Sequence, residues 1–516
     1  MRKDDEGMKG SGNDLPGCEG AYGRKADEIV PDTEFKPRLV PVNRKQMRIV
    51  PVDVERLIPE DHEARAIWDF VGSLDLASYY QEIGSIEGEA GRPVYDPRVL
   101  MSVWIYAYSR GVGSAREIAR RTEYDPPFQW LAAMEIINYH TLSDFRIGHK
   151  ESLDRIFVEV LGILSAEGLI TLERTTQDGT KVKACAGTGS FRKEEKITAH
   201  LKMAEEHTRL LQDSEEEAGL RQEKAHIRMA QERKERLDHA LEEFKKVTKA
   251  AEKARVSMTD PDARIMKQSD GGYAPSYNLQ ISADAACDII VAQQISQHPE
   301  DFKELIPAIR RIEENTGKKP LQMIADGGYT TRENIVAMAE KGLDFIGSFE
   351  GRTPVHPGQF ASRGIDDAFR PDRFVYDHEA DAYTCPQGKV LHHRSTQKRA
   401  GKTRSTYSAR IRDCRTCSFR EQCCEKRRSI VRPLNDPAVG AFMEKMKTKE
   451  AKDIYKTRAP IAEFPNAWIK QKIGLRQFHV RGLVKVGMEA LWACLTYNIQ
   501  QWIRLLWRPR LGQATE

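Results

Sequence analysis

A chain of 516 residues with 40% hydrophobic and 31% charged side chains has room for roughly two to four domains and a substantial core, which excludes fibrous and collagen-like architectures. The net charge of +4 exerts no global pull on polyanions. No apolar run reaches the length of a membrane span, and the polar, Gly-rich start does not read as a secretion signal, so a cytosolic protein with no membrane partner is expected.

Residues 1–45 are rich in Gly, Asp and Lys with little periodicity and read as a flexible leader. From 46 to 170 the apolar residues recur at three- and four-residue intervals (Ile67, Phe70, Val71 and Leu74, then Val99 to Tyr108 behind Asp96-Pro97, then Ile156 to Leu164), which predicts an all-helical domain. Inside it, a short helix with Arg116, Arg120 and Arg121 on its polar side is followed by Pro126-Pro127 and further helical segments. That order is the one found in helix-turn-helix readers of duplex DNA, and it makes Arg116 and Arg120 candidate DNA contacts. The plainer reading is a solvated helix face.

At Arg174 the period shifts to two, and the alternating run to Ala184 predicts a strand with Asp178 in its middle. Residues 191–257 interrupt it with Glu, Lys, Gln and Ala and with apolar positions at Ile197, Leu201, Leu237, Leu241 and Phe244. Two long helices folded back as a coiled-coil-like hairpin are expected, bent near Gly219. Tyr277 to Ala283 and Ile289 to Ile295 then read as an antiparallel hairpin, and a helix from Phe302 to Thr316 follows.

The short apolar run Leu321, Met323, Ile324 ends at Asp326, where Gly327-Gly328 break the chain before another helix. A carboxylate is thereby expected at the open end of a buried strand, a usual place for a site, although Asp-Gly-Gly also suits an ordinary turn. Asp344 to Phe349 makes a further strand, so the order predicts a mixed sheet flanked by helices. Glu463 and Lys470, two helical turns apart, would share one helix face, with Tyr455 and Arg458 just before them and with Pro460 and Pro465 marking a start or kink. After Gly482, Val484 to Trp507 reads as a long amphipathic helix on the sheet, with Glu489 at the surface. His140, His298 and His479 read as solvated or hydrogen-bonded structural histidines.

An acid in a first strand, an acid after a fourth and a Glu on a later helix give the layout of an RNase H-like nuclease core. With them, Asp-Gly-Thr-Lys at Asp178, Gly-Gly-Tyr-Ala-Pro-Ser-Tyr-Asn at Gly271 to Asn278, Ala-Asp-Gly-Gly-Tyr at Ala325 to Tyr329, and Tyr-x-x-Arg with Glu and Lys at Tyr455 to Lys470 resemble the DDE transposases of bacterial insertion sequences. One departure stands in the last motif: four residues separate Arg458 from Glu463, where the family's broader pattern has three.

The resemblance implies an α+β fold whose RNase H-like core takes in residues 171–350 and 436–510, interrupted by the helical insertion at 191–257 and by a basic, Cys-rich insertion at 351–435. It also implies a catalytic set of Asp178, Asp326 and Glu463 holding two Mg2+ (or Mn2+) ions, with Tyr455, Arg458 and Lys470 gripping DNA. The activity implied is cleavage at the element's terminal inverted repeats and strand transfer into target DNA. A homodimeric synaptic complex and a cytoplasmic, nucleoid-associated location in a bacterium follow as expectations. In-line displacement at a phosphodiester gathers charge on the attacking and leaving oxygens, which is what carboxylates clustering hard cations can offset. A structure-specific RNase H-like nuclease and a non-catalytic, domesticated DNA-binding protein are the alternatives.

Five of the nine cysteines fall between Cys385 and Cys424. The odd total and the crowding argue against a disulfide framework. Cys414-Arg-Thr-Cys417, with Cys385 and Cys423, suits a tetrahedral structural zinc site for which Cys424 could substitute at the last position; reduced, unliganded thiols are the alternative. From Cys385 to Arg432 there are fourteen Lys or Arg against three Asp or Glu. Arg410, Arg412, Arg415, Arg420 and Lys426 to Arg428 are therefore expected on a small clip facing DNA phosphates.

Overall fold

In the computed structural model, which describes residue 47 and residues 51–85, 93–213, 221–247, 254–348, 364–377, 380–399, 402–433 and 437–514, the N-terminal helices begin where side chains can satisfy free backbone N–H groups. They are α1 (Glu63–Gly72), α2 (Ala77–Gln81), α3 (Pro97–Ser109), α4 (Ala115–Tyr124), α5 (Pro126–Leu131), α6 (Tyr139–Gly148) and α7 (Lys150–Ala166). His62, Asp96, Ser114 and Asn138 cap α1, α3, α4 and α6, and Pro97 sits at the first position of α3, where its missing N–H costs nothing. α3 is buried from Leu100 to Tyr108 without interruption, as a helix enclosed on all sides must be. The expected leader and the bend at Gly219 lie outside the described residues.

A mixed sheet follows: β1 (Arg174–Lys183), β4 (Arg264–Lys267), β5 (Tyr273–Asp284), β6 (Ile290–Ser296), β7 (Gln322–Ala325) and β8 (Asp344–Gly347). Its order is β6-β5-β1-β7-β8, with β4 pairing the first residues of β5. β5 runs antiparallel to both β1 and β6, whereas β7 lies parallel to both β1 and β8. The parallel half needs crossover helices. These are α10 (Leu305–Thr316), closed by Gly317 at φ +70°, and α11 (Arg332–Glu340), capped by the Thr331 hydroxyl. The helix predicted from Phe302 thus starts three residues later, after a turn.

Between β1 and β4 stands the expected hairpin, α8 (Glu194–Asp213) against α9 (Arg221–Val247), with the small pair β2 (Phe191–Arg192) and β3 (Val256–Ser257) at its base. Ile197, Ala204, Leu237, Ala240 and Phe244 form its own apolar seam. An ionic cluster welds it to the sheet. Glu243 pairs with Arg264 and with Lys246 at 2.7 Å, while His239 Nε2 meets Asp262 Oδ1 at 2.9 Å and the Leu483 N–H donates to Asp262 Oδ2 at 2.9 Å. His239, Glu243 and Asp262 stand close enough for a shared cation, but these partners already balance their charges.

The Cys-rich segment folds as a second, five-stranded antiparallel sheet of order β13-β12-β11-β10-β9, built from β9 (Val375–Asp377), β10 (Ala382–Thr384), β11 (Val390–Arg399), β12 (Lys402–Ala409) and β13 (Ser429–Pro433). The short helices α12 (Ile411–Arg415) and α13 (Arg420–Cys423) join β12 to β13. The chain then returns through α14 (Pro437–Lys447), α15 (Lys449–Lys456), α16 (Arg458–Gln471), α17 (Leu483–Trp502) and, after a π-helical turn at Ile503–Trp507, α18 (Arg508–Ala514). Among the described residues no helix is long and apolar enough to cross a membrane.

Residues Asp53–Glu516 make one compact unit in which α3, α7, β5, β6 and α17 share a single apolar core. Each large side chain buried there contributes about 1.5–3 kcal/mol. α17 carries much of it, and it corrects one expectation. Glu489, read as a surface residue, is fully buried. Its carboxylate accepts the N–H of His479 at 2.9 Å, stands 2.7 Å from His479 Nδ1 and lies 3.6 Å from the buried Arg146. The position looks amphipathic in sequence, yet α17 is enclosed by both the N-terminal helices and the sheet, so no solvent face remains at Glu489.

Candidate active site

Parallel pairing of β1 with β7 sets Gln177 opposite Ala325, so Asp178 and Asp326 occupy the next step of the same ladder. Adjacent parallel strands lie about 4.8 Å apart and carry register-matched side chains to one face, which brings the two carboxylates side by side. The Asp326 charge registers on Asp178. Burial pushes the Asp178 carboxyl up to about 6; the Gly179 N–H opposes this, Asp326 adds to it, Arg458 opposes it and Asp301 adds to it. Asp326 also shapes its own turn, accepting the Gly328 N–H at 2.8 Å. The turn reading of Asp-Gly-Gly is thereby met, by the same residue whose charge reaches Asp178.

A buried polar network holds this edge from below. Gln177 Nε2 donates to Gln280 Oε1 at 2.8 Å, Ser282 Oγ to Gln177 Oε1 at 2.5 Å, and the Tyr329 hydroxyl to Gln280 Oε1 at 2.5 Å. Gln280 Nε2 and Asn278 Nδ2 in turn donate to Asp301 Oδ1 at 2.8 and 2.7 Å, and Lys181 Nζ is 3.3 Å from the same oxygen. Gly179 sits against these groups: a Cβ there would fall 2.4 Å from Gln280 Nε2 and 2.6 Å from Asp301 Oδ1. The Asp-Gly of the first strand is therefore a packing requirement as well as a motif.

α16 crosses the same edge. Asn466 Nδ2 donates to Asp178 Oδ2 at 2.9 Å. Glu463 stands three residues earlier, about 4.5 Å along the axis, on the same side of the helix. Its carboxylate is exposed and makes no hydrogen bond or ion pair with a described residue. Lys470 follows Asn466 by one turn; burial lowers its pKa, while the Asp178 charge works the other way. The charges of both Arg458 and Lys470, which lie on either side of Glu463 along the helix, thus reach Asp178. Tyr455 packs on Ile324 and Ile346 beneath the β7 and β8 tips and lines an open groove of about 500 Å³ with Lys449, Lys452 and Lys456.

The other expected contacts sit elsewhere. Arg116 and Arg120 are exposed on α4, Arg116 with its guanidinium 5.2 Å from the Tyr139 ring centre and Arg120 paired with Glu117 at 2.8 Å. Cys385, Cys414, Cys417 and Cys423 surround one small cavity beside the second sheet. Arg428 corrects the expected clip: it is buried, donating to the carbonyls of Cys423 at 3.3 Å and Phe369 at 2.9 Å, so it cannot face DNA. Arg410, Arg412, Arg415, Lys426 and Arg427 remain exposed. Reading the sequence missed Asn466 and Asp301. Asn466 had a signal, its place one turn after Glu463; Asp301 had none, because its role depends on the β5 register.

Two family models match the chain. One described as "Transposase domain (DUF772)" covers residues 52–147, and one described as "Transposase DDE domain" covers residues 384–503. No curated protein matches. A solved structure titled as a piggyBac transposase synaptic complex with hairpin DNA aligns over 86% of this chain and 73% of that one at 7% identity, with a TM-score of 0.28, a likeness too slight to bear on the fold. Transposase models thus match the chain in its N-terminal helices and again from the Cys-rich sheet through the Glu463 helix, and over those two stretches it is similar to DDE transposases.

Proposed function

We propose that Asp178, Asp326 and Glu463 form the catalytic acid set of this transposase, at the edge of an RNase H-like core, and hold a pair of Mg2+ (or Mn2+) ions. The observation that carries this reading is the register of β1 and β7, which sets Asp178 beside Asp326. The sheet order β6-β5-β1-β7-β8, antiparallel on one side of β1 and parallel on the other, supports the RNase H-like assignment.

The residues suit hard cations. The Asp326 charge raises the cost of ionising Asp178, neither carboxylate is paired directly with a Lys or Arg among the described residues, and the donors are all oxygen. When bound, the ions would offset charge on the attacking and leaving oxygens of a phosphodiester. The chain's own residues do the rest. Asp178, Asp326 and Glu463 supply ligands, Asn466 orients Asp178, and Arg458 and Lys470 receive phosphate beside the acids. Tyr455 and the lysine groove next to it extend that positive track along the DNA. Hydrolysis at an element end frees a 3′ hydroxyl, and that hydroxyl attacks target DNA at the same site.

The test uses the full chain, Mg2+ and a duplex carrying the inverted repeats that flank its own gene. Wild-type protein should nick and join; Asp178→Asn, Asp326→Asn and Glu463→Gln should each abolish both steps while retaining the gel shift. Cleavage by Asp326→Asn at the wild-type rate refutes the assignment.

A further inference from the structure

We infer that Cys385, Cys414, Cys417 and Cys423 bind a structural zinc ion that locks the second sheet to the helices presenting its exposed arginines. The module has little else to hold it. Its buried apolar core amounts to Phe374, Leu391, Tyr407, Ala409 and Ile430, with Cys385, Cys414 and Cys423 packed on its rim. Cores this small ordinarily need a cross-link or a metal. All cysteines among the described residues are free thiols, so the cross-link is not a disulfide.

The backbone gathers the thiols through short turns. Cys385 opens a tight turn in which Gly388 takes φ +72°, and the Lys389 N–H donates to Cys385 Sγ at 3.2 Å. A second turn, closed by the Cys417 N–H on the Cys414 carbonyl at 3.3 Å, brings the two ends of the C-x-x-C segment together. Cys423 ends α13 and faces both Cys385 and Cys414; Cys424 faces Cys414 and Cys423. The cavity these sulfurs line has about 30 Å³ free, room for one water-sized body.

A second observation comes from Arg428. It is only 6% exposed, lines the same cavity, and its Nε has no hydrogen-bond partner. A buried cation with an unsatisfied donor is costly beside neutral thiols and favourable beside a tetrathiolate metal centre, whose net charge is negative. Four thiolate donors select zinc in tetrahedral geometry, and binding releases the thiol protons to solvent. Cys424 is left as an unliganded neighbour. Arg410, Arg412 and Arg415, exposed on and beside α12, are thereby set in one fixed orientation.

Full-length protein purified without chelator should contain one zinc per chain, and protein grown on cobalt should show the charge-transfer and d–d absorption of a tetrathiolate site. Cys385→Ser, Cys414→Ser, Cys417→Ser and Cys423→Ser should each drop zinc from stoichiometric to background, whereas Cys424→Ser should retain it. Should the four variants fail to fold, the cobalt spectrum and proton release on reloading the metal-stripped wild type decide the matter. Wild-type protein without zinc, with all five thiols freely titratable in the native state, overturns the site. Zinc retained by Cys417→Ser and lost by Cys424→Ser overturns the assignment of Cys417.

Discussion

The side-chain amide of Asn466 donates to Asp178 Oδ2 at 2.9 Å, joining residues 288 positions apart and tying α16 to the acidic edge of the sheet. The bond fixes one oxygen of Asp178 and sets the helix face on which Glu463 stands. Asn466→Ala should lower Mg2+-dependent cleavage by about 10- to 100-fold, the usual cost of removing a residue that orients a metal ligand. End binding should change little. Asn466→Asp, which places a third negative charge against Asp178 and Asp326, should be at least as damaging. Cleavage unchanged in Asn466→Ala would show that the bond has no part in positioning.

Asp178 makes the metal-free protein pH-sensitive. Its folded pKa, pushed up to about 6 chiefly by burial, exceeds the ordinary carboxyl value of 3.8, so the folded state holds the proton more tightly than the unfolded state between those limits. Stability should therefore be greatest below about pH 4 as far as this group is concerned, and should fall by about 2–3 kcal/mol as pH rises through 6. Denaturant titrations of wild type and Asp178→Asn in EDTA isolate the effect, since the variant should lack that slope. Mg2+ affinity should run the other way and strengthen as pH rises through the same window, which isothermal titration can follow.

Gly179 is constrained by close approach. A methyl group there would meet Gln280 Nε2 and Asp301 Oδ1, which are held by Tyr329, Gln177, Asn278 and Lys181 and cannot simply swing aside. Gly179→Ala should cost about 1–3 kcal/mol, as overpacking of a well-filled site does, and should reduce cleavage with it. Chemical denaturation gives the first quantity and a nicking assay the second. A fully stable and active Gly179→Ala would mean that the network is looser than its distances indicate.

The buried Glu489 holds the N-terminal helices to the rest of the unit through Arg146 and the His479 segment. Glu489→Ala leaves the Arg146 charge without its partner and should destabilise by about 3–5 kcal/mol, visible as a large fall in Tm. Glu489→Gln can still accept the two backbone N–H groups of His479 and Val480, so its loss should be smaller. Equal melting of both variants and wild type would remove Glu489 from the junction.

Local periodicity made much of this chain readable before folding. The period of two around Asp178, the apolar run that stops at Asp326, the Ile-Leu spacing of the α8–α9 hairpin and the capped starts of α3 and α4 are all written in neighbouring residues. Such patterns are set by backbone geometry and by which face must be dry. The ordered acids, with their flanking motifs, were enough to indicate the likeness to transposases that the matched stretches also carry.

What folding alone decided was which distant groups meet. Asp178, Asp326 and Glu489 each read in sequence as a single acid within a strand or helix pattern; register puts the first two side by side, whereas enclosure on every side of α17 turns the third into a structural anion. Arg428 looks like its exposed neighbour Arg427 and is instead buried among thiols. Burial and charge coupling are sums over atoms brought together from far along the chain. No window of neighbouring residues contains that sum, and so the roles of Asn466, Asp301, Glu489 and Arg428 became visible only once the sheet and helices were packed.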